Sequence, residues 1–290
     1  MKGIYRTLLF MPAIKKKWLE QSNQHVADAI IFDLEDSVPI DLKEEARNNV
    51  KSVLASVKWE KEIWLRVNKH LTGYAREDLR LATHPGISGV VLPKVASVED
   101  VLQVHQQLLL LEQAQGLAPQ TIAILPMLET AKALWFAYDI AMIERVTGII
   151  GISSKNGDVE RSLGTQWTPE GTESIYLKSR TVMAARAAGK TPIGGLWQDV
   201  HNLTGLKKAA QRNRQLGYDG ELVLHPSNVE VVNAIYAPTE EEIRYYEGLI
   251  EAFTKAEKQG VSAVMYEGDH IDYAHVAMAK ERLAYAQQLK

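Results

Sequence analysis

The sequence predicts an α/β fold, a (β/α)8 TIM barrel with a C-terminal helical extension. The first observation is that eight short, mostly apolar segments recur along the chain. The second is that amphipathic helical patterns separate them, and strands that alternate with helices indicate a parallel sheet. The third is length, because such a barrel takes about 250 residues and the chain has 290. A doubly wound open sheet is the alternative. It is disfavoured because eight units are present and no glycine-rich nucleotide loop follows the first strand.

The predicted strands are nearly continuous apolar runs, as expected where both faces of a parallel sheet are buried. They are TLLFM (7–11), DAIIFD (28–33), EIWLRV (62–67), SGVVLP (88–93), TIAILP (121–126), VTGIIG (146–151), TPIGGLW (191–197) and DGELVLH (219–225).

Helical periodicity fills the intervals between these strands. The clearest stripe runs from Leu42 to Val57 at spacings of three and four residues, and Asp41 is a suitable N-cap for it. A single helix is expected from Thr130 through Ala141, and another from Leu203 to Leu216, stopped by glycine at 217. These patterns place helices where the crossover connections of a barrel require them.

The last part of the chain follows a different pattern. We expect the barrel to occupy residues 1–237 and an extension, in the same structural domain, to occupy residues 238–290. A helix should begin after Thr239, a hairpin or tight turn should lie within 260–272, and a final helix should follow. The extension is predicted to be a lid or an oligomer contact, or else a helical pair packed on the outside.

Composition excludes several classes of function. The net charge of −3 and the brevity of the Lys15–Lys17 run argue against nucleic-acid binding. The absence of cysteine removes disulfides, thiolate metal sites and cysteine nucleophiles. The longest mostly apolar stretch, 133–143, contains Asp139 and is too short to span a bilayer, and the N-terminal apolar run is too short for a signal peptide. We therefore expect a cytoplasmic protein with no membrane partner.

Most of the chemically capable side chains stand at or just past the carboxyl ends of the predicted strands. In a closed barrel these ends form one face, where such enzymes carry their active sites. The residues are Asp33, Glu35, Asp36, Arg66, Asn68, Lys94, Glu129, Asp158 and His225. The sequence therefore predicts one polar pocket.

Glu129 and Asp158 are the candidate metal ligands. Taken singly, each has a plain structural interpretation: Glu129 as a first-turn glutamate that favours the helix dipole, and Asp158 as an N-cap. Because they follow neighbouring strands, they also match the way Mg²⁺ is bound, by one or two carboxylates, waters and substrate oxygens. Mn²⁺ would suit the same oxygen ligands.

Arg66 ends an otherwise apolar strand, where an unpaired charge is costly to bury. It is expected to bind a carboxylate or thioester oxygen of the substrate, or to form an ion pair with Asp33 or Glu35. Part of the surrounding charged group is expected to orient the metal- and substrate-contacting residues through hydrogen bonds; this group is Asp33, Glu35, Asp36 and Lys94. His225 is placed in the same supporting group, although a histidine there is more often a core or loop residue.

Eight motifs, in order, make the chain resemble the HpcH/HpaI aldolase and citrate lyase β-subunit family over nearly its whole length. They are LLFMP (8–12), ADAIIFDLEDSV (27–38), RVN (66–68), VLPKV (91–95), LPMLET (125–130), Asp158 through Gly164, LGYDG (216–220) and HPS (225–227).

The resemblance implies a Mg²⁺-dependent carbon–carbon lyase or aldolase that uses a CoA thioester. Its reaction would join or separate acetyl-CoA and a 2-oxo acid, as malyl-CoA, citramalyl-CoA and citryl-thioester lyases do. It also implies a homotrimer or hexamer, in which Asp272 of the GDHID motif (268–272) reaches the site of a neighbouring subunit. In that scheme Glu129 and Asp158 hold the metal and contact the 2-oxo acid, Arg66 stabilises the enolate oxygen, and Asp272 is the general base.

Two loops depart from the pattern of the family. The first loop reads PAIKKK (12–17) where CoA-using relatives have Pro-Gly followed by arginine, and the loop before Asp158 is longer than usual. Lysines meet phosphates only as point charges. Two alternatives therefore stay open: a metal-dependent aldolase that acts on free 2-oxo acids without CoA, and a citrate-lyase-β-like subunit that acts only in a complex.

Overall fold

A computed structural model describes residues 5–289 of the chain. Contacts divide the chain into two compact units, Met1–Ala234 and Ile235–Lys290, and each is described by itself. The boundary expected at 237/238 stays a prediction. Among the described residues, no helix has both the length and the apolar character needed to cross a membrane.

The first unit contains eight parallel strands. Their bounds are β1 (Thr7–Pro12), β2 (Ala29–Asp33), β3 (Glu62–Arg66), β4 (Gly89–Leu92), β5 (Ala123–Pro126), β6 (Gly148–Ile150), β7 (Thr191–Gly194) and β8 (Gly220–Val223). All eight predicted strands are present, and most are shorter than predicted at one or both ends. Strand β7, for example, stops at Gly194, because Gly195 has a φ of 108° that a strand does not accommodate.

The strands pair in the order β5-β4-β3-β2-β1-β8-β7-β6. Isolated parallel bridges Ile124–Val146 and Met127–Ile150 connect the two outer strands, β5 and β6. The sheet thus curls into a nearly closed barrel, and the predicted (β/α)8 fold is confirmed.

Helices follow the strands along the first unit, and the last of them ends two residues past Ala234. They are α1 (Lys16–Glu20), α2 (Lys43–Ser56), α3 (Ala75–Ala82), α4 (Val98–Ala114), α5 (Ala131–Trp135), α6 (Ala137–Ala141), α7 (Asp158–Leu163), α8 (Ile175–Ala187), α9 (Leu203–Leu216) and α10 (Pro226–Tyr236).

Two helix predictions need correction. Asp41 does not cap α2: it lies in a 3₁₀ turn, Ile40–Leu42, and the helix begins after Leu42 without a side-chain cap. The helix expected from Thr130 to Ala141 is two short helices, because Phe136 leaves helical geometry at φ −96° and ψ 24°. The helix from Leu203 is confirmed, with Asn202 as its N-cap and Gly217 in the left-handed conformation at its end.

The barrel interior is a packed apolar core. Its largest member is Trp64, which is fully buried among Leu8, Ile31, Leu125 and their neighbours. The adjacent strand must carry glycine at position 89, because a Cβ there would lie 2.3 Å from the indole ring. The core fills the barrel below the carboxyl ends of its strands and leaves those ends for polar groups.

The second unit is a helical pair with a hairpin. It contains α11 (Glu240–Glu257), antiparallel strands β9 (Val264–Tyr266) and β10 (Asp269–Ile271), and α12 (Tyr273–Gln288). Thr239 and Glu242 form a capping box at the start of α11. Leu249, Phe253 and Ile271 belong to its buried core. The predicted hairpin within 260–272 and the two helices are confirmed.

Candidate active site

Asp33 and Arg66 form the best-defined ion pair at the carboxyl ends of the strands. They end β2 and β3 and are direct partners in the register of the two strands. Arg66 donates from Nε to Asp33 Oδ1 and from a terminal nitrogen to Oδ2, both at 2.6 Å. Its guanidinium also lies 4.8 Å from the ring centroid of Phe10. This bidentate hydrogen bond fixes the plane of the guanidinium.

Glu35 links Arg66 to Lys94. One oxygen of Glu35 lies 3.1 Å from Arg66 and the other accepts a bond of 2.5 Å from Lys94 Nζ. Lys94 also reaches Asp36 at 2.9 Å and lies 3.9 Å from an oxygen of Asp158. Both interpretations that the sequence allowed for an Arg66 ion pair, to Asp33 and to Glu35, are therefore present together.

These contacts shift the pKa values of the carboxyl groups in opposite directions. Burial opposes the charge of Asp33, but the adjacent Arg66 guanidinium outweighs that effect and lowers its pKa. For Glu35 the balance is reversed, because burial raises its pKa by more than Arg66 and Lys94 lower it. The ionised form of Asp33 is therefore stabilised by its surroundings, whereas the ionised form of Glu35 is destabilised by burial.

Two buried polar side chains, Lys43 and Asn68, hold the backbone at Leu34 and Glu35 in place. Lys43, in the first turn of α2, donates bonds of 2.6 Å to the carbonyl oxygens of both Leu34 and Glu35. Asn68 donates to the Leu34 carbonyl at 3.0 Å and to Asp78 at 2.6 Å. The sequence does not single out Lys43 or Asp78, because a polar residue in a helical segment carries no signal that its side chain points inward.

Glu129 follows β5 and is buried, with only 5% of its surface exposed. Across residues 5–289, no group donates a hydrogen bond to its carboxylate and no cation forms an ion pair with it. Burial, together with the nearby charges of Glu35 and Asp158, raises the pKa of Glu129 to about 8. A buried carboxylate without a partner is costly, so this group is suited to receive a cation.

Asp158 is the first residue of α7, and its side chain is about a quarter exposed. It forms an ion pair with Arg161, one turn along the helix, and lies near Lys94. The predicted N-cap position belongs instead to Gly157.

One cavity of about 410 Å³ brings the central predicted residues together. Asp33, Asp36, Arg66, Glu129 and Asp158 all line it. Other lining residues that the sequence did not single out are Phe10, Met127, Ile152, Ser154, Val159, Leu196 and Leu224. Its volume lies within the range of small-molecule sites, and charged and apolar surfaces meet in it.

Two predicted residues lie elsewhere. His225 follows β8 outside the lining of this cavity, and its Nδ1 lies 2.7 Å from the Ser227 hydroxyl. Asp272 belongs to the second unit, where it caps α12 by accepting bonds from the N–H groups of Ala274 and His275. These bonds and that of the His275 ring lower the pKa of Asp272. The roles expected for both residues stay predictions.

The oxygen donors of the cavity fit a hard divalent cation better than a transition metal that prefers nitrogen or sulfur. Within the described residues, no cluster of three or more histidine, cysteine or acidic side chains is arranged to hold a metal. Glu129 and Asp158 would thus supply two carboxylates, and the remaining positions would be left to water or substrate. That arrangement matches the usual behaviour of Mg²⁺.

Comparisons with known proteins find relatives over nearly the whole chain. The profile of the HpcH/HpaI aldolase/citrate lyase family matches residues 6–226. A (3S)-malyl-CoA thioesterase of Cereibacter sphaeroides is 30% identical over 98% of this chain and 95% of its own length. Citrate lyase subunit beta of Escherichia coli is 30% identical over 96% of this chain and 94% of its own length.

A solved structure shows the same fold. The protein CitE of Mycobacterium tuberculosis, in complex with magnesium, acetoacetate and coenzyme A, superposes with a TM-score of 0.80. The match covers 99% of this chain and 100% of that one at 23% sequence identity.

Proposed function

The chain belongs to the HpcH/HpaI aldolase/citrate lyase family, and within it we propose a Mg²⁺-dependent lyase that cleaves or forms a 3-hydroxyacyl-CoA thioester. The products of cleavage would be acetyl-CoA and a 2-oxo acid, so the substrate would be of the malyl-, citramalyl- or citryl-CoA type. Relatives named for malyl-CoA and citrate, and a neighbour solved with magnesium and coenzyme A, support this choice.

The observation that carries the proposal is the unpartnered carboxylate of Glu129 in the same cavity as Asp158 and Arg66. Glu129 and Asp158 would hold the cation. When bound, Mg²⁺ would polarise the carbonyl of a 2-oxo acid as a Lewis acid. A catalytic cation at this position would also stabilise the ionised carboxylate and so offset the burial that raises the pKa of Glu129.

Arg66 would stabilise negative charge on the thioester oxygen as the acyl α-carbon loses its proton. Its hydrogen bonds to Asp33 and its ion pair with Glu35 hold the guanidinium in place before the substrate arrives, which is what electrostatic stabilisation of a transition state requires. The carbanion-like α-carbon would then attack the carbonyl carbon of the acid, forming the carbon–carbon bond while the electron pair of the C=O π bond passes to the oxygen. That oxygen would take up a proton, equivalent to the one removed from the α-carbon, to become the hydroxyl group of the product. Cleavage is the reverse.

For the proton acceptor we propose Asp272 of a neighbouring copy of the chain. This role rests on the match of Gly268–Asp272 to the family's C-terminal motif, and a homotrimer or hexamer would be needed to supply it. The lowered pKa of Asp272 keeps the carboxylate ionised but also makes it a weaker base, so the role rests on the motif and not on the pKa.

A Mg²⁺-supplemented cleavage assay tests the proposal. Malyl-CoA, citramalyl-CoA and free 4-hydroxy-2-oxo acids would be offered separately, and the 2-oxo acid and acetyl-CoA products measured. Release of both from a CoA substrate supports the proposal. Cleavage of only the free acids would favour the CoA-independent aldolase. Release of free CoA without a 2-oxo acid would indicate thioester hydrolysis, and inactivity of the isolated chain would favour a subunit that needs its complex.

A further inference from the structure

Two tryptophans stand beside the metal cavity with no role in the chemistry proposed above. Trp167 lies after α7 and Trp197 lies after β7, and their ring centroids are 6.1 Å apart at an interplanar angle of 55°. Both side chains are half-buried. The longer loop that distinguishes the chain from its family, residues 152–157, lies just upstream of α7.

The two rings line a pocket of about 420 Å³ together with Pro169, Leu196 and a few polar side chains. Leu196 also lines the cavity that contains Glu129 and Asp158. A single side chain therefore forms a wall common to the metal cavity and this two-tryptophan pocket. A ligand held by its polar end in the cavity has an apolar space immediately beside it.

The ring of Trp197 is held before any ligand binds. Its Nε1 donates to the Asp199 carbonyl at 2.8 Å, and its outer edge packs against Gly205, where a Cβ would lie 2.3 Å from the ring. Trp167 is positioned by its backbone N–H, which donates to Glu160 at 2.9 Å. Rigid aromatic walls lose little entropy on binding, so this pocket is built to receive a flat apolar group.

Charge decides what kind of group fits. The charged lining residues, Lys155 and Asp199, have opposite signs, so the pocket does not attract a polyanion. The exposed cations Lys15, Lys16 and Lys17 follow β1 instead, and they are the better place for phosphates. An uncharged substituent of the substrate is favoured over the nucleotide of an acyl carrier.

We propose that the two-tryptophan pocket binds an apolar substituent, best a flat ring, carried by the 2-oxo acid half of the substrate. This inference rests on the function proposed above, since it places the carboxylate and carbonyl of the acid in the metal cavity and its substituent past Leu196. An apolar cavity of about 150 Å³ holds a benzene ring, so the pocket has room for a ring and its linking carbons. The preferred acid is therefore a 2-oxo acid of the same class with a larger substituent than glyoxylate or pyruvate, and its thioester would differ from malyl- or citramalyl-CoA only in that substituent.

Equilibrium binding measures the preference without relying on turnover. Pyruvate, 4-methyl-2-oxopentanoate and phenylpyruvate would be titrated into the full chain with Mg²⁺ by calorimetry. Affinity should rise along the series, with phenylpyruvate at least about tenfold tighter than pyruvate, as differences in buried apolar groups give in such pockets. Equal affinities would overturn the proposal.

Variants connect the preference to the pocket. Trp167→Ala and Trp197→Leu should each weaken phenylpyruvate binding about tenfold and leave pyruvate within about twofold; Trp197→Leu retains bulk against Gly205. Trp135 is 66% exposed on α5 and lies outside the pocket. Trp135→Ala is therefore the matched control and should change neither affinity. Circular dichroism would confirm that each variant is folded.

Three further outcomes separate the pocket from the proposed function. If the tryptophan variants weaken binding of free CoA and not of phenylpyruvate, the pocket serves the acyl carrier and the proposal is wrong. If none of the 2-oxo acids condenses with acetyl-CoA, the proposed lyase activity is wrong. The binding series still decides the specificity of the pocket in that case. Condensation with pyruvate but no preference for larger acids would refute only the pocket.

Discussion

Replacing Glu129 by glutamine removes the buried carboxylate that is left without a partner. Burial, with the charges of Glu35 and Asp158, raises its pKa from 4.5 to about 8. Because the pKa of the folded state is the higher one, the protein is relatively stabilised below pH 4.5 and loses that stabilisation as the pH rises towards 8. The difference of about 3.5 pH units corresponds to about 5 kcal/mol once the group is fully ionised.

Most of this penalty falls inside an accessible pH window. Integrating the linkage gives a cost of about 1 kcal/mol at pH 5 and about 4 kcal/mol at pH 8. The free energy of unfolding of Glu129→Gln, relative to that of the wild type, should therefore increase by about 3 kcal/mol between pH 5 and pH 8. Any constant effect of the amide on packing cancels in that comparison.

Urea denaturation of the metal-free protein in the presence of a chelator measures the effect. Wild type, Glu129→Gln and Glu45→Gln would be compared at pH 5 and pH 8; Glu45 is exposed on α2 and serves as the matched control. Adding Mg²⁺ at pH 8 should stabilise the wild type and not Glu129→Gln, because binding to the folded state adds to stability. A pH-dependent gain below about 1 kcal/mol would refute our account of Glu129 as an uncompensated buried charge.

Three further outcomes are expected. Mg²⁺ affinity of the wild type, measured by calorimetry, should rise about tenfold per pH unit between about pH 5.5 and 7.5, because Glu129 must lose its proton first; a flat profile would exclude it as a ligand. Arg66→Lys should lower kcat/KM at least about tenfold, because an ammonium group cannot form the bidentate hydrogen bond that the guanidinium forms with Asp33. Wild-type kinetics in this variant would mean that Arg66 only neutralises the nearby carboxylates. Mixing Asp272→Asn with Glu129→Gln should restore part of the activity if the site is shared between copies, whereas no rescue after verified subunit exchange would exclude sharing.

The positions of the central site residues followed from local pattern. Apolar runs separated by helices require parallel strands, and parallel strands place their carboxyl ends on one face. Asp33, Arg66, Glu129 and Asp158 each stand at or after such an end, so their presence in one cavity needed no knowledge of individual contacts. The sequence allowed an ion pair between Asp33 and Arg66 among other partners for Arg66. Only the register of β2 against β3 in the folded barrel shows that the two residues are paired.

The electrostatic state of the site was decided by the tertiary structure. The pKa of Glu129 depends on burial and on charges from four other segments, which lie close only after the barrel has closed. Lys94 reaches Glu35 across 59 positions of sequence, and Lys43 turns inward to two backbone carbonyls. None of these relations leaves a periodic signal, because each depends on the direction of a side chain in a packed environment.

The two-tryptophan pocket shows the same division. Trp167 and Trp197 lie 30 positions apart on loops that carry no regular pattern. The sequence contains six tryptophans, and nothing in it shows that these two form a pocket. Neighbouring strands bring the two loops together, and the ring of Trp197 settles where Gly205 has no side chain. The sequence by itself determined which face of the barrel carries the chemistry, since strand direction is a local property. The folded structure alone decided the charge of each group and the apolar space beside it, since both depend on contacts between distant segments.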